Sequence, residues 1–188
     1  MQLNIYIISH PLIQLLYNSI DNRTNSNISI YNHKYIGLIL LYETMRKYVE
    51  IQTIYIKNIN SIKTSYYKNP CEKHFIITNI VNTYHIISDI KTLIPEVKII
   101  HIDSKKRNLS NIYKDNNLNL LNKKYKIIIL YDILYDYNTI NLIDDIIENT
   151  NISINNIQIA CLACYSQLLN KIGSKYPTLN IYTTKIIN

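Results

Sequence analysis

The sequence predicts an α/β fold in which a mostly parallel central sheet is flanked by helices. Short apolar runs alternate with segments of helical periodicity along most of the 188 residues. The four prolines fall between these segments, where turns are expected. A chain of this length suits one compact domain. We therefore predict a single domain, with residues 1–70 as an N-terminal helical and strand extension and residues 71–188 as the core sheet.

The first half of the chain carries two helix signals and three strand signals. Apolar residues spaced three and four apart predict a helix over 31–48. Short apolar runs predict strands at 51–56, 75–80 and 97–102. Between the last two strands, helical spacing over 84–93 predicts a helix that ends before a proline.

The second half continues this alternation and contains the strongest strand signal, at 125–131. Its unbroken apolar run indicates a strand covered on both faces, so we expect 127–130 at the centre of the sheet. The elements predicted after it are a helix carrying Ile140, Ile143, Ile146 and Ile147, a strand at 156–163, a helix at 166–172 and a strand at 179–184. Ligands of parallel sheets bind beyond the carboxyl ends of the strands, which makes the loops after residues 79, 102 and 131 the candidate ligand loops.

The composition reflects a codon bias more than a function. Ile, Asn, Lys and Tyr dominate, with 18 Tyr, no Trp, one Phe and two Gly. Since these favoured residues have A/T-rich codons, we expect an A/T-biased genome, such as that of a plastid or of a parasite. The formal net charge of +7 follows from the same bias, which argues against nucleic-acid binding. With no signal peptide, no presequence and no apolar run long enough to span a membrane, the expected location is the plastid, or otherwise the cytoplasm.

The cysteines favour a reducing compartment. Cys71, Cys161 and Cys164 are an odd number with wide spacing, which does not suit a disulfide framework. Cys161 and Cys164 have the spacing of a redox or zinc pair. They lie in a run typical of a buried strand, however, and no second pair of ligands follows, so core packing is the favoured interpretation.

Residues 127–139 carry the most specific motif. An apolar strand, an acidic residue and a helix start resemble the phosphoribosyl-diphosphate signature of type I phosphoribosyltransferases. Asp132 and Thr139 match that signature, which implies that Asp132 stabilises positive charge developing on the ribose and that Thr139 belongs to the phosphate site. Asp136 and Tyr137 stand where the signature has Thr and Gly.

Those two substitutions oppose the binding of a phosphate. A carboxylate at Asp136 repels a dianion, and the side chain of Tyr137 obstructs the close backbone approach that Gly permits. The alternative interpretation, which we favour, is that Asp136 caps the amino terminus of the following helix.

Four segments narrow the resemblance to uracil phosphoribosyltransferase. They are residues 9–13 (SHPLI), 40–46 (LLYETMR), 94–99 (IPEVKI) and 177–184 (PTLNIYTT). The resemblance implies a type I phosphoribosyltransferase-like fold. It also implies the family reaction of pyrimidine salvage, in which uracil and phosphoribosyl diphosphate give UMP and diphosphate, with Mg²⁺ required if the chain is active.

The departures from the family pattern lie in the functional loops. Residues 81–86 replace a loop containing Arg and Gly that would bind pyrophosphate. Lys105, Lys106 and Arg107 correspond to a flexible loop of the family, and the resemblance implies that they contact the diphosphate. The Gly-rich uracil-binding segment that follows the last family motif is absent before Asn188. We therefore expect catalysis to be lost or much reduced. The alternatives are a nucleotide-sensing, scaffold or RNA-binding protein on the same fold, and expected partners are phosphoribosyl diphosphate or UMP and a second copy of the chain.

The remaining polar side chains that invite a functional interpretation are expected to be structural. His10 and His85 fit packing or surface positions better than catalytic ones. Asp144, Asp145 and Glu148 are spaced as a solvated helix face, which we favour over a metal site. No metal ligands are predicted.

Overall fold

The core of the structure, a computed structural model that describes residues 3–21, 26–102, 124–150 and 152–188, is a parallel sheet. The strands are β1 (Asn4–Ile7), β2 (Ile51–Lys57), β3 (Ile62–Lys68), β4 (Glu72–Thr78), β5 (Lys98–His101), β6 (Lys124–Leu134), β7 (Ile157–Tyr165) and β8 (Asn180–Ile187). Six of them form one sheet in the order β1–β8–β7–β6–β4–β5, and their pairings are parallel. β2 and β3 form a separate antiparallel hairpin.

Helices cover both faces of the sheet. They are α1 (Pro11–Asp21), α2 (Ser26–Arg46), α3 (Ile80–Ile87), α4 (Ile90–Leu93), α5 (Asn138–Thr150) and α6 (Ser166–Lys175), with a short 3₁₀ turn at Ile154–Asn156. One face packs against buried side chains of α5 and α6, among them Ile143 and Ile172. The other packs against α1 to α4 through residues such as Ile36, Leu40 and Ile90. Two covered faces explain why the central strands are apolar throughout.

The predicted fold class is confirmed. Ile127–Leu130 lie in β6, which pairs in parallel with β4 on one side and β7 on the other. The extension predicted for residues 1–70 needs a correction, since β1 is an edge strand of the core sheet beside β8. β1 has only four residues, all exposed, and so short a strand gives little periodic signal.

Four further elements differ from the prediction. The helix predicted over 84–93 is two helices, α3 and α4, and α3 begins earlier because Asn79 caps it. The central strand continues to Leu134, so Asp132 lies within β6 and not in the loop that follows. The strand β3 and the helix α1 were not predicted. The strand β3 lacks strong apolar periodicity, whereas Leu12, Leu16 and Ile20 of α1 do follow helical spacing.

Gly37 allows two helices of the covering layer to approach closely. A Cβ atom at this position would lie 2.7 Å from Cγ2 and 2.8 Å from Cα of Ile86 in α3. The second contact is to backbone, so a larger residue would have to move a helix. One of the two glycines in the chain therefore serves the packing of α2 on α3.

The described helices do not include a candidate membrane span. None of them combines the length and apolar character needed to cross a bilayer.

Candidate functional site

A cavity of about 650 Å³ opens at the carboxyl edge of the sheet, where ligands of parallel sheets bind. It lies between the ends of β4 and β6, the start of α3, and α5. Its described lining includes neither Lys nor Arg but five carboxylates, those of Asp132, Asp136, Asp144, Asp145 and Glu148. The described wall of the cavity is therefore acidic.

Asp136 caps helix α5. Its Oδ1 accepts a hydrogen bond of 2.9 Å from the backbone N–H of Asn138, and its Oδ2 accepts one of 2.6 Å from the Asn138 side chain. The backbone carbonyl of Asp136 also accepts from the N–H of Thr139. The favoured capping interpretation of Asp136 is thus confirmed. An N–H group at the helix start, where a phosphate would be bound, is already satisfied by a carboxylate of the same chain.

The backbone N–H groups at the start of α3 also donate to side chains of the same chain. The N–H of Val81 donates to Oδ1 of Asn79 at 3.1 Å, and the N–H of Ile80 donates to Nδ1 of His101 at 3.1 Å. Both helix amino termini at this cavity therefore have N–H groups occupied by side chains. Asn79 and His101 were not among the predicted site residues. An Asn that immediately precedes an apolar helical segment is a capping signal, and it could have identified Asn79.

The side chain of Tyr137 does not obstruct the cavity, contrary to the prediction. Its ring does not line the cavity, and it lies beneath Lys171 of α6, with Nζ 3.9 Å from the ring centroid. This cation–π contact holds the ring toward α6. The phenol therefore leaves the cavity open, and the capping by Asp136 is the stronger obstacle to a phosphate.

Asp132 lines the cavity near the end of β6. Burial raises the pKa of its carboxyl, while the nearby His33 and His85 act in the opposite direction. His85 is exposed on α3, as the predicted surface role requires. The position of Asp132 at the carboxyl edge is the one that the resemblance implies for a residue facing ribose.

The described structure does not place all of the other predicted site residues beside Asp132. Thr139 is fully buried and is not part of the cavity lining. Lys105, Lys106 and Arg107 lie outside the described residues. Ile102, the last described residue before them, lines the cavity.

The acidic residues of α5 are only partly a solvated face. Asp144 accepts hydrogen bonds from Lys175 and from the hydroxyl of Tyr176. Burial raises the pKa of Asp144, but these two partners outweigh it and lower the pKa below its ordinary value. Asp145 and Glu148 complete the acidic side of the cavity.

The described residues do not fit a protein-bound metal ion. Nowhere in the described ranges are three or more His, Cys, Asp or Glu side chains grouped closely enough to hold one.

Two other candidates are structural. His10 precedes α1 and accepts a hydrogen bond of 3.2 Å from the N–H of Leu12 through Nδ1. Cys161 and Cys164 are fully buried free thiols in β7, and each Sγ donates to a carbonyl of β8 at 3.7 Å. The core-packing interpretation of this pair is confirmed.

Comparisons with known proteins agree with this fold. The family model for uracil phosphoribosyltransferase matches residues 7–187. A relative from Porphyra purpurea, described as a uracil phosphoribosyltransferase homolog, is 32% identical over 99% of this chain and 89% of its own length. One from Pyropia yezoensis with the same description is 33% identical over the same shares.

A solved structure supports the fold. The AQ2163 protein from Aquifex aeolicus superposes with a TM-score of 0.71 at 16% identity, covering 97% of this chain and 86% of that one. Together, the family model and the two full-length relatives establish that the chain belongs to the uracil phosphoribosyltransferase family.

Proposed function

We propose that this chain is a uracil phosphoribosyltransferase homologue whose catalysis is lost or much reduced. The observation that carries the proposal is the capped, acidic cavity at the carboxyl edge of the sheet. Asp136 occupies a helix N–H, and four further carboxylates line the same space. The family substrate is a polyanion, whose binding requires donors and positive charge at this place.

The electrostatics oppose that substrate strongly. Two like charges 4 Å apart repel by about 4 kcal/mol at the effective dielectric of a protein surface. The Asp144 carboxylate is offset by Lys175, but neither Asp132 nor Asp136 has a Lys or Arg ion-pair partner among the described residues. A 5′-phosphate placed at the start of α5 would meet the carboxylate of Asp136 before it met a free N–H.

Calorimetry with phosphoribosyl diphosphate and Mg²⁺ tests the proposal. We expect no binding, or weak binding that disappears as salt rises, since only Lys105, Lys106 and Arg107 would then hold the ligand. An active member of the family serves as the positive control. Micromolar affinity that Asp132→Ala abolishes would contradict the proposal, as would formation of UMP from uracil.

The same titration distinguishes a nucleotide-sensing role. UMP that binds with micromolar affinity while phosphoribosyl diphosphate does not would indicate that the cavity senses product without turning over substrate. The enzyme assay, run on the same preparation, separates that outcome from residual catalysis.

We further propose that the chain is encoded and acts in a plastid. The A/T-codon bias of its composition supports this, and its two relatives come from algae. Sequencing of purified plastid DNA from the source organism checks it, and a coding sequence found only in the nucleus would contradict it.

A further inference from the structure

Strand β1 forms one edge of the central sheet and leaves one side of its backbone unpaired. It pairs in parallel with β8, and the N–H of Ile8 donates to the carbonyl of Thr183 at 2.8 Å. Because the backbone groups of successive residues in a strand point to alternate edges, those of Ile5 and Ile7 point away from β8. Among the described residues, the N–H and C=O groups of Ile5 and Ile7 have no hydrogen-bond partner. This edge can therefore pair with a further extended chain.

The sequence of β1 lacks the side chains that usually protect an edge strand. Residues 4–7 (NIYI) include neither a charged residue nor a proline, and all four are exposed. The strand at the opposite edge, β5, begins with the exposed Lys98, and charges of this kind discourage pairing with another chain. β1 is thus the more open of the two sheet edges, and its short length limits an added strand to a segment of similar length.

A second cavity, of about 310 Å³, lies beside β1. It is lined by β1 and the residues that follow it, by Tyr182 of β8 and by the end of α2. The rings of Tyr6 and Tyr182 stack there with their centroids 4.8 Å apart, on the sheet face that α1 to α4 cover. Its lining has no residue in common with that of the cavity at the carboxyl edge of the sheet. The two cavities are therefore separate places on the molecule.

The cavity beside β1 has an excess of positive charge. Its lining includes the cations of Arg46 and Lys47 and the carboxylate of Glu43. Glu43 pairs with Arg46 at 3.2 Å. Lys47 has no carboxylate partner among the described residues, and its Nζ lies 5.9 Å from the centroid of the Tyr6 ring. An acidic group that reaches Tyr6 would therefore find an ammonium group not already paired with a carboxylate.

We propose that β1 binds an extended segment of a partner protein by strand addition, with an acidic side chain of that segment in the cavity beside Tyr6. Hydrogen bonds to the backbone of Ile5 and Ile7 supply affinity, and the side-chain pocket supplies specificity. Side chains of an added strand alternate between the two faces of the sheet, so every second one points to the same face as Tyr6. A Glu at such a position meets Lys47, and its two neighbours lie on the other face.

The two features favour this partner over others because they adjoin. Tyr6 and Ile7 belong both to β1 and to the cavity lining, so one short segment reaches the strand edge and the cation together. A helical partner has its backbone groups paired internally and cannot bond to Ile5 and Ile7. A basic side chain would be repelled by Lys47. The inference does not depend on whether the other cavity retains catalysis.

Fluorescence anisotropy with a labelled synthetic peptide, Thr-Val-Glu-Val-Thr, tests the acidic preference. We expect a Kd below about 1 mM, and binding of Thr-Val-Lys-Val-Thr that is weaker by about tenfold or more. Lys47→Glu should reverse the preference between the two peptides, since it reverses the charge that the central side chain meets. Lys91→Glu is the matched control, because Lys91 is exposed on α4 and lies outside the cavity, and it should leave both affinities unchanged.

Ile5→Pro tests the backbone contact. Proline removes the outward N–H of Ile5 but none of the bonds to β8, which is the position that edge strands tolerate. Ile5 is not part of the cavity lining, so the charge of the cavity is kept. We expect the Glu peptide to bind about tenfold more weakly or worse. Circular dichroism establishes that the variant is folded. Should it unfold, a Glu peptide N-methylated at its three central residues replaces it, and this peptide should lose the same affinity on the unmodified chain.

Three results would overturn the proposal. The first is the absence of binding of the Glu peptide at about 1 mM. The second is equal affinity for the Glu and Lys peptides, or undiminished binding of the N-methylated peptide. The third is a mass by light scattering that falls by half in Ile5→Pro relative to the unmodified chain, since a second copy would then occupy the edge instead of an acidic partner.

Discussion

Replacing Lys126 by Met is expected to lower the free energy of unfolding by about 3–5 kcal/mol, the usual cost of leaving one member of a buried ion pair without its partner. Lys126 is 9% exposed, and its Nζ lies 2.7 Å from Oε1 of Glu72. In the variant, Glu72 keeps a buried charge that is offset by a backbone N–H and by His74, whose Nε2 is 3.9 Å away. Urea denaturation followed by circular dichroism measures the loss.

The pH dependence of this loss follows from the same contacts. In the unmodified chain, burial is the main cause that lowers the pKa of His74 below 6.5. Without Lys126 that pKa rises, since an uncompensated Glu72 carboxylate favours the imidazolium. A raised His pKa adds stability at low pH that is lost as pH rises through it. The deficit of Lys126→Met should therefore be smaller at pH 5 than at pH 8.

Two further variants test whether the loss comes from breaking the buried pair. Lys175→Met is the matched control, because its partner Asp144 is partly exposed and exposed pairs contribute about 0–1 kcal/mol. Glu72→Met with Lys126→Met should recover most of the stability, as apolar residues often replace a buried pair at little cost. Equal losses of unfolding free energy for Lys126→Met and Lys175→Met would show that the buried pair contributes no more to stability than the exposed pair.

Asp136→Thr with Tyr137→Gly is expected to raise the affinity for a 5′-phosphate by roughly 10- to 100-fold, the worth of a charge-assisted hydrogen bond. The change removes a carboxylate and frees the N–H of Asn138 that Asp136 now occupies. It should cost about 1 kcal/mol of stability through the weaker cap, with a further loss from the more flexible glycine. Calorimetry with UMP and with ribose 5-phosphate measures the affinity.

Asp136→Asn separates charge from capping. Asn removes the carboxylate but remains a good cap, so it should leave the N–H occupied and gain less affinity than the double variant. We expect no uracil transfer from either variant, since the other carboxylates of the cavity remain. A folded double variant with unchanged phosphate affinity would show that residues 127–139 do not form a phosphate loop.

The sequence by itself determined the layered fold. The apolar runs at 75–80, 125–131 and 156–163 are buried on both faces, and only a sheet covered by helices can satisfy such strands. The family motifs and Asp132 at the carboxyl edge were also predictable, since a parallel sheet brings strand ends to one edge. Periodicity reports how a segment is buried, and these segments are buried deeply.

Only the tertiary structure decided the acidic character of the cavity and the exposure of the hairpin. The acidic wall combines Asp132 of β6 with Asp144 and Glu148 of α5, and the cap at α3 uses His101 from another strand. The buried pair joins Glu72 to Lys126 across neighbouring strands that are far apart in sequence. These properties depend on side chains brought together by folding, whereas local patterns report only each residue's own segment. The exposed β3 gave no strand signal because a strand without a buried face need not alternate.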